Sequence, residues 1–233
     1  MNIFTFARQL KWQFLILAKN HIVAMSFMVT LLYIGLLFGL GKTAYLDQVL
    51  MAIILNDPTV IGYFFIGLSL FTERRQNVLE ALAVSPVKLE TVLVAKTVAI
   101  TTIGVLCSLA LAIPLKGLSF DLVDFTIGSI GLCALSALLA LYVQTFTDEF
   151  LKFAMVSIPV FLVFTSVPLL QYLGAIDLGG LKYLLPVQGA VSLIDHALSG
   201  TAINPWYAYG SITVLVPLCY LMARSRFAQL TNP

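Results

Sequence analysis

The chain has 233 residues, of which 60% are hydrophobic and 10% charged, with a formal net charge of +2. A soluble domain carries about 25% charged residues, and the apolar surplus here exceeds what one water-soluble core of this length can enclose. Composition therefore excludes an ordinary soluble domain and assigns an all-α integral membrane class.

Residues 1–20 read as an interfacial helix. Ile3, Ala7, Leu10, Phe14 and Leu17 fall at helical spacing, Arg8, Lys11 and Lys19 suit lipid headgroups, and Trp12 suits the membrane–water boundary. The alternative is a frayed, basic start to the first span. No small-residue cleavage site follows a clean apolar core, so this segment is expected to remain in the mature chain. Residues 21–40 form the first stretch long enough to span, about 20 mostly apolar residues being needed. It carries Gly35 and Gly39 as G-x-x-x-G, which lets helices approach closely within one subunit or across a dimer.

The second span is expected over residues 49–71, interrupted by Asn56-Asp57-Pro58. A carboxylate at this depth costs about 2.5–3.5 kcal/mol on insertion scales and is a functional hypothesis by default. Two readings stay open. Asn56 and Asp57 face a hydrated translocation path where Asp57 attracts a cationic substrate, or the span starts near Pro58 and Asp57 caps it.

The next stretch, FTERRQNVLEALAVSPVK, holds five charged residues inside an otherwise apolar chain. Glu73, Arg74, Arg75, Gln76 and Asn77 form a polar head. Val78, Leu79, Leu82 and Ala83 recur at helical spacing with Glu80 on another face. Ser85-Pro86 ends the segment, because the residue before proline disfavours helix, and the same pair can start the next span as N-cap and first helical residue. The prediction is a helix over residues 73–85, about 18 Å long, held between two spans and suited to docking in a partner's groove.

Spans follow at 88–113, 122–146, 152–173 and 206–223. Ser129, Cys133 and Ala137 form a small-residue stripe in the fourth, and Pro159 and Pro168 are expected to kink the fifth. Asp148 and Glu149 read as solvated helix-end charges, or as contacts to the basic N-terminal helix or a partner. Residues 174–205 hold apolar stretches too short to cross, separated by Gly and Pro, and read as a re-entrant or interfacial segment. An ordinary loop is the alternative. Cys107, Cys133 and Cys219 lie in apolar runs and read as small buried hydrophobes; no metal site is expected.

Six spans put both termini on one side. That side holds Arg8, Lys11, Lys19, Arg74, Arg75, Lys88, Lys96, Lys152, Arg224 and Arg226, against Lys42, Lys116 and Lys182 opposite. The positive-inside rule then places both termini in the cytoplasm. His21 and His196, the only histidines, fall on opposite sides, and no Ser/His/Asp constellation is present. Nor is there a G-x-x-x-x-G-K-[S/T] phosphate loop, so the chain is expected to be no enzyme and to bind no cofactor.

Residues 73–96, ERRQNVLEALAVSPVKLETVLVAK, resemble the signature region of ABC-2 type transporter permeases: an acidic–basic pair, Leu-Glu-Ala-Leu, Ser-Pro and a lysine in the following span. The six-span plan, N-terminal interfacial helix and broken segment before the last span extend the resemblance over nearly the whole chain. "VLEALAVSP" is most similar to drug-export permeases of the fluoroquinolone type. The resemblance implies a permease subunit of the cell inner membrane that pairs as a homo- or heterodimer. It also implies a cytoplasmic ATPase that binds ATP and Mg and docks on a coupling helix containing Glu73, Arg74, Arg75, Gln76, Val78, Leu79, Glu80 and Leu82. Membrane lipids are the remaining expected partner, and no nucleic acid is expected. The rival functions are a secondary transporter using Asp57 and a membrane assembly protein without an ATP cycle.

Overall fold

A computed structural model describes residues 3–40, 46–76 and 88–231. These residues form helices and connecting turns, with no strand among them. Helix α1 covers Ile3–Lys19, α2 Ile22–Leu40, α3 Leu46–Arg75, α4 Leu89–Lys116, α5 Leu122–Gln144 and α6 Phe150–Tyr172. A 3₁₀ turn at Gly179–Leu184, the short helix α7 (Gln188–Ser199) and α8 (Pro205–Thr231) complete the order. Helices α2 to α6 and α8 are each long and apolar enough to cross a bilayer. In hydrocarbon no water satisfies stray backbone groups, which is why apolar stretches of this length close every peptide hydrogen bond within a helix.

Helix α1 is a separate element. His21 adopts a left-handed backbone (φ 58°) between α1 and α2, which breaks the helix there and turns the chain. Only Gln13 and Leu17 of α1 are buried, while Arg8, Lys11 and Trp12 are exposed; the helix packs against α4.

Helix α3 departs from the expected second span at both ends, running 30 residues, about 45 Å against a hydrocarbon core of about 30 Å. Pro58 lies inside it without ending it, and a π-helical turn follows at Ile61–Phe65. A proline removes one ladder hydrogen bond and crowds the preceding turn; widening to a π turn is one way a spanning helix absorbs that defect. A second π turn, Leu162–Ser166, lies between Pro159 and Pro168 of α6, where a kink was expected.

Helix α5 is the most enclosed spanning helix and α8 the least. Water does not drive spanning helices together, so close packing of small residues does much of the work. Cys133 of α5 sits against Gly62 of α3 and Gly104 of α4. A Cβ at either glycine would come within 2.6 Å of a Cys133 atom, its carbonyl oxygen in one case and its sulfur in the other. The stripe of Ser129, Cys133 and Ala137 is fully buried within the subunit. Gly35 and Gly39, by contrast, have open space around them.

Two apolar clusters fill the bundle. One, at the end bearing the termini, gathers Leu17, Tyr63, Phe71, Leu141 and Phe153; the other gathers Leu50, Leu111, Phe125, Val191 and Ile194 at the distal end. The segment before α8 folds back onto the distal end. Helix α7 is amphipathic, and its buried face, including Ala190, Leu193 and Ile194, packs on α5 and α8.

Candidate functional site

Two polar places stand out in the bundle. The first is at its terminal end. Ser69 and Glu73 lie one turn apart on α3, and both face Lys96 of α4. Lys96 Nζ pairs with Glu73 Oε1 and lies 3.3 Å from Ser69 Oγ, and Ser69 Oγ donates to Glu73 Oε1 at 3.3 Å. The two charged side chains are each only 3% exposed. Charges so enclosed persist only when paired and hydrogen-bonded. The same end of α3 is tied to α5 and the turn after it: Gln144 Nε2 donates to Gly67 O at 2.7 Å, and Arg74 Nη1 donates to Thr147 O at 3.0 Å.

This geometry changes the part Glu73 was expected to play. Its carboxylate is not presented at the surface with the polar head; it faces inward on the last turns of α3. Arg74 also turns inward, lying over the Phe71 ring at 5.7 Å. Arg75 and Gln76 are exposed. Arg74 and Arg75 share a cleft of about 310 Å³ with Asp148, Glu149 and Phe150 at the start of α6. Val78, Leu79, Glu80 and Leu82, with the rest of the proposed coupling helix, lie outside the described residues.

The second place is at mid-helix. Asp57 is 5% exposed, and its Oδ2 has no hydrogen-bond partner among the described residues. It borders a cavity of about 90 Å³ between α2 and α3, lined also by Ser26, Tyr33 and Asn56. The nearby polar groups are mostly committed to their own helices: Ser26 Oγ to Ile22 O at 2.9 Å, Thr30 Oγ1 to Ser26 O at 2.8 Å, and Asn56 Nδ2 to Ala52 O at 3.0 Å. Because α3 begins at Leu46, Asp57 lies well inside the helix and caps nothing.

The sequence model of the fluoroquinolones export permease protein family matches residues 5–231. The chain belongs to this family. It is an ABC-2 type permease, and two relatives are named fluoroquinolones export permease protein, from Mycobacterium tuberculosis strains CDC 1551 / Oshkosh and ATCC 25618 / H37Rv. Each is 26% identical over 162 residues, covering 66% of this chain and 65% of the relative. The matched stretch thus spans about 65% of each relative's length.

Other polar contacts brace this permease. Across its terminal end, Arg224 Nη2 of α8 lies 2.5 Å from Glu90 Oε1 of α4. At the distal end, Lys116 pairs with Asp47 at 2.7 Å. Asp124 of α5 accepts a hydrogen bond from Tyr209 Oη of α8 and lies 3.7 Å from His196 Nε2 of α7. Asp195 accepts from Thr201 Oγ1 at 2.7 Å and from Tyr172 Oη at 3.2 Å. Sequence reasoning missed these partnerships. Their one legible signal was a lone charge in an apolar run: Lys96, like Asp57, has to find a partner or a wet cavity. Among the described residues no group of three or more His, Cys, Asp or Glu side chains could hold a metal.

Proposed function

We propose that this permease is the membrane subunit of an ATP-driven exporter, docking a separate cytoplasmic ATPase that carries ATP and Mg. The observation that supports this reading best is the Glu73–Lys96 pair. It locks the end of α3 to the start of α4, the two helices that flank the 77–87 segment. A push delivered to that segment would then move both helices as one body. In this reading Arg75, Gln76, Val78, Leu79, Glu80 and Leu82 meet the ATPase, and Glu73 positions them. Both termini face the cytoplasm, and two permease subunits pair around the path. The relatives' names point to fluoroquinolones as cargo. Asn56 and Asp57 border the path, with Asp57 receiving a cationic group.

The test is to purify the tagged permease with its genetic neighbours. Recovery of an ATPase subunit, and nucleotide-dependent transport in proteoliposomes, is expected. The buried Asp57 carboxylate, whose Oδ2 has no hydrogen-bond partner among the described residues, also favours a second reading, a secondary transporter. Transport driven by a cation gradient with no nucleotide or ATPase present would establish that reading and reject the first.

A further inference from the structure

Helices α4 and α8 both pack on α5 but barely touch each other, and a groove opens between them. It has a volume of about 610 Å³, with α5 as its floor and α4 and α8 as walls. On α4 it runs from Val94 to Leu106, about 18 Å at 1.5 Å per residue. That is close to one leaflet's share, roughly 15 Å, of a 30 Å hydrocarbon core. Val94 lies near the start of α4, so the groove occupies the leaflet on the side of the termini.

The lining is apolar in effect as well as in residue type. Thr97 Oγ1 donates to Leu93 O at 2.9 Å and Thr102 Oγ1 to Val98 O at 2.8 Å, so both threonines spend their hydroxyls on their own helix. The Thr101 oxygen is buried. The remaining polar group of the lining, the Tyr220 hydroxyl, lies toward Glu90 and Arg224 at the mouth, so the slot itself is walled by apolar surface. The charge sits only at the mouth. One turn beyond Val94 is Glu90, and one turn beyond Tyr220 is Arg224, and these two bridge the walls at 2.5 Å. Each is about half exposed, at 48% and 46%. The mouth therefore offers one anion and one cation side by side, above an acyl-length apolar slot.

We propose that this groove is a binding site for one phospholipid of the leaflet on the terminal side, specifically one whose headgroup carries a primary amine beside its phosphate. The acyl chain fills the slot, the phosphate takes donors of Arg224, and the ammonium meets Glu90. A lipid with an anionic, amine-free headgroup satisfies Arg224 but sets its negative charge against Glu90.

The full-length permease in nanodiscs of equal phosphatidylethanolamine and phosphatidylglycerol, released for native mass spectrometry, tests this. Retention of phosphatidylethanolamine about fivefold over phosphatidylglycerol is expected, which corresponds to ~1 kcal/mol. Glu90→Gln removes the ammonium's partner and should turn the preference toward phosphatidylglycerol. Thr102→Trp fills the slot and should abolish retention in a variant that keeps its melting temperature. Independently of that variant's folding, a benzophenone amino acid at Val98 should capture phosphatidylethanolamine on illumination. Equal retention of the two lipids, retention that survives Thr102→Trp in a folded chain, or capture of a second permease subunit from Val98 would each overturn the proposal.

Discussion

Lys96 of α4 and Glu73 of α3 form an ion pair inside the bundle, with Ser69 hydrogen-bonded to both and each charged side chain 3% exposed. Each member is intelligible only through the other. A lone lysine among Ala95, Thr97 and Val98 is costly in an apolar setting. A lone carboxylate at the foot of α3 would pull that helix end toward water. Together they join two spans at the level where the chain passes through residues 77–87.

Breaking this pair from one side should be far worse than removing both charges. Glu73→Gln or Lys96→Met alone leaves an uncompensated buried charge, a loss of about 3–5 kcal/mol. The double variant leaves no charge behind and should recover much of that loss. Thermal unfolding of the four proteins in one detergent gives the coupling energy. Single losses that simply add would mean that the two groups do not depend on each other.

If residues 75–82 meet the ATPase, Leu79→Asp should abolish its co-purification while membrane insertion and melting temperature stay unchanged. Arg75→Glu should weaken it, since Arg75 is exposed and shares its cleft with Asp148 and Glu149. Wild-type recovery of the ATPase with Leu79→Asp would remove the coupling helix from the dock.

The six spans were legible because a bilayer demands about 20 apolar residues and little else in the chain meets that demand. The amphipathic segment before the last span was legible for a related reason: its apolar stretches are too short to cross. Pro58 was legible only in part: the span expected over residues 49–71 does run through it, against the alternative that it starts there, but no local rule foretold the π turn three residues later. Glu73 was misjudged because it adjoins Arg74 and Arg75 in sequence and so resembles a solvated cluster. The one-turn spacing from Ser69 puts it on the inward face, and only the packing of α3 against α4 shows that Lys96, 23 residues on, is waiting there. Tertiary register of this kind has no local signature.

Asp57→Asn separates a path residue from a structural one. Asn fills nearly the same space without the charge, and Asp57 Oδ2 has no partner to lose. Melting temperature should therefore hold or rise, because an unpaired carboxylate in a spanning helix is itself a cost of about 2.5–3.5 kcal/mol on insertion scales. Transport of cationic substrates should fall while transport of neutral ones persists. Equal effects on charged and neutral cargo would detach Asp57 from substrate recognition.

The least enclosed span, α8, is held by polar contacts at both ends, and their settings predict different strengths. At the terminal end Arg224 and Glu90 are about half exposed, where an ion pair contributes about 0–1 kcal/mol and is screened by salt. At the distal end Asp124 is 13% exposed and takes the Tyr209 hydroxyl. Leaving a buried acceptor without its donor costs about 1–3 kcal/mol. His196 Nε2, 3.7 Å from Asp124, is too distant to replace the lost hydrogen bond. Tyr209→Phe should thus lower stability by more than Glu90→Gln does, and its effect should persist at high salt while that of Glu90→Gln fades. Thermal melts of both variants at low and high salt decide the order; a reversed order would place the stronger clasp of α8 at the terminal end.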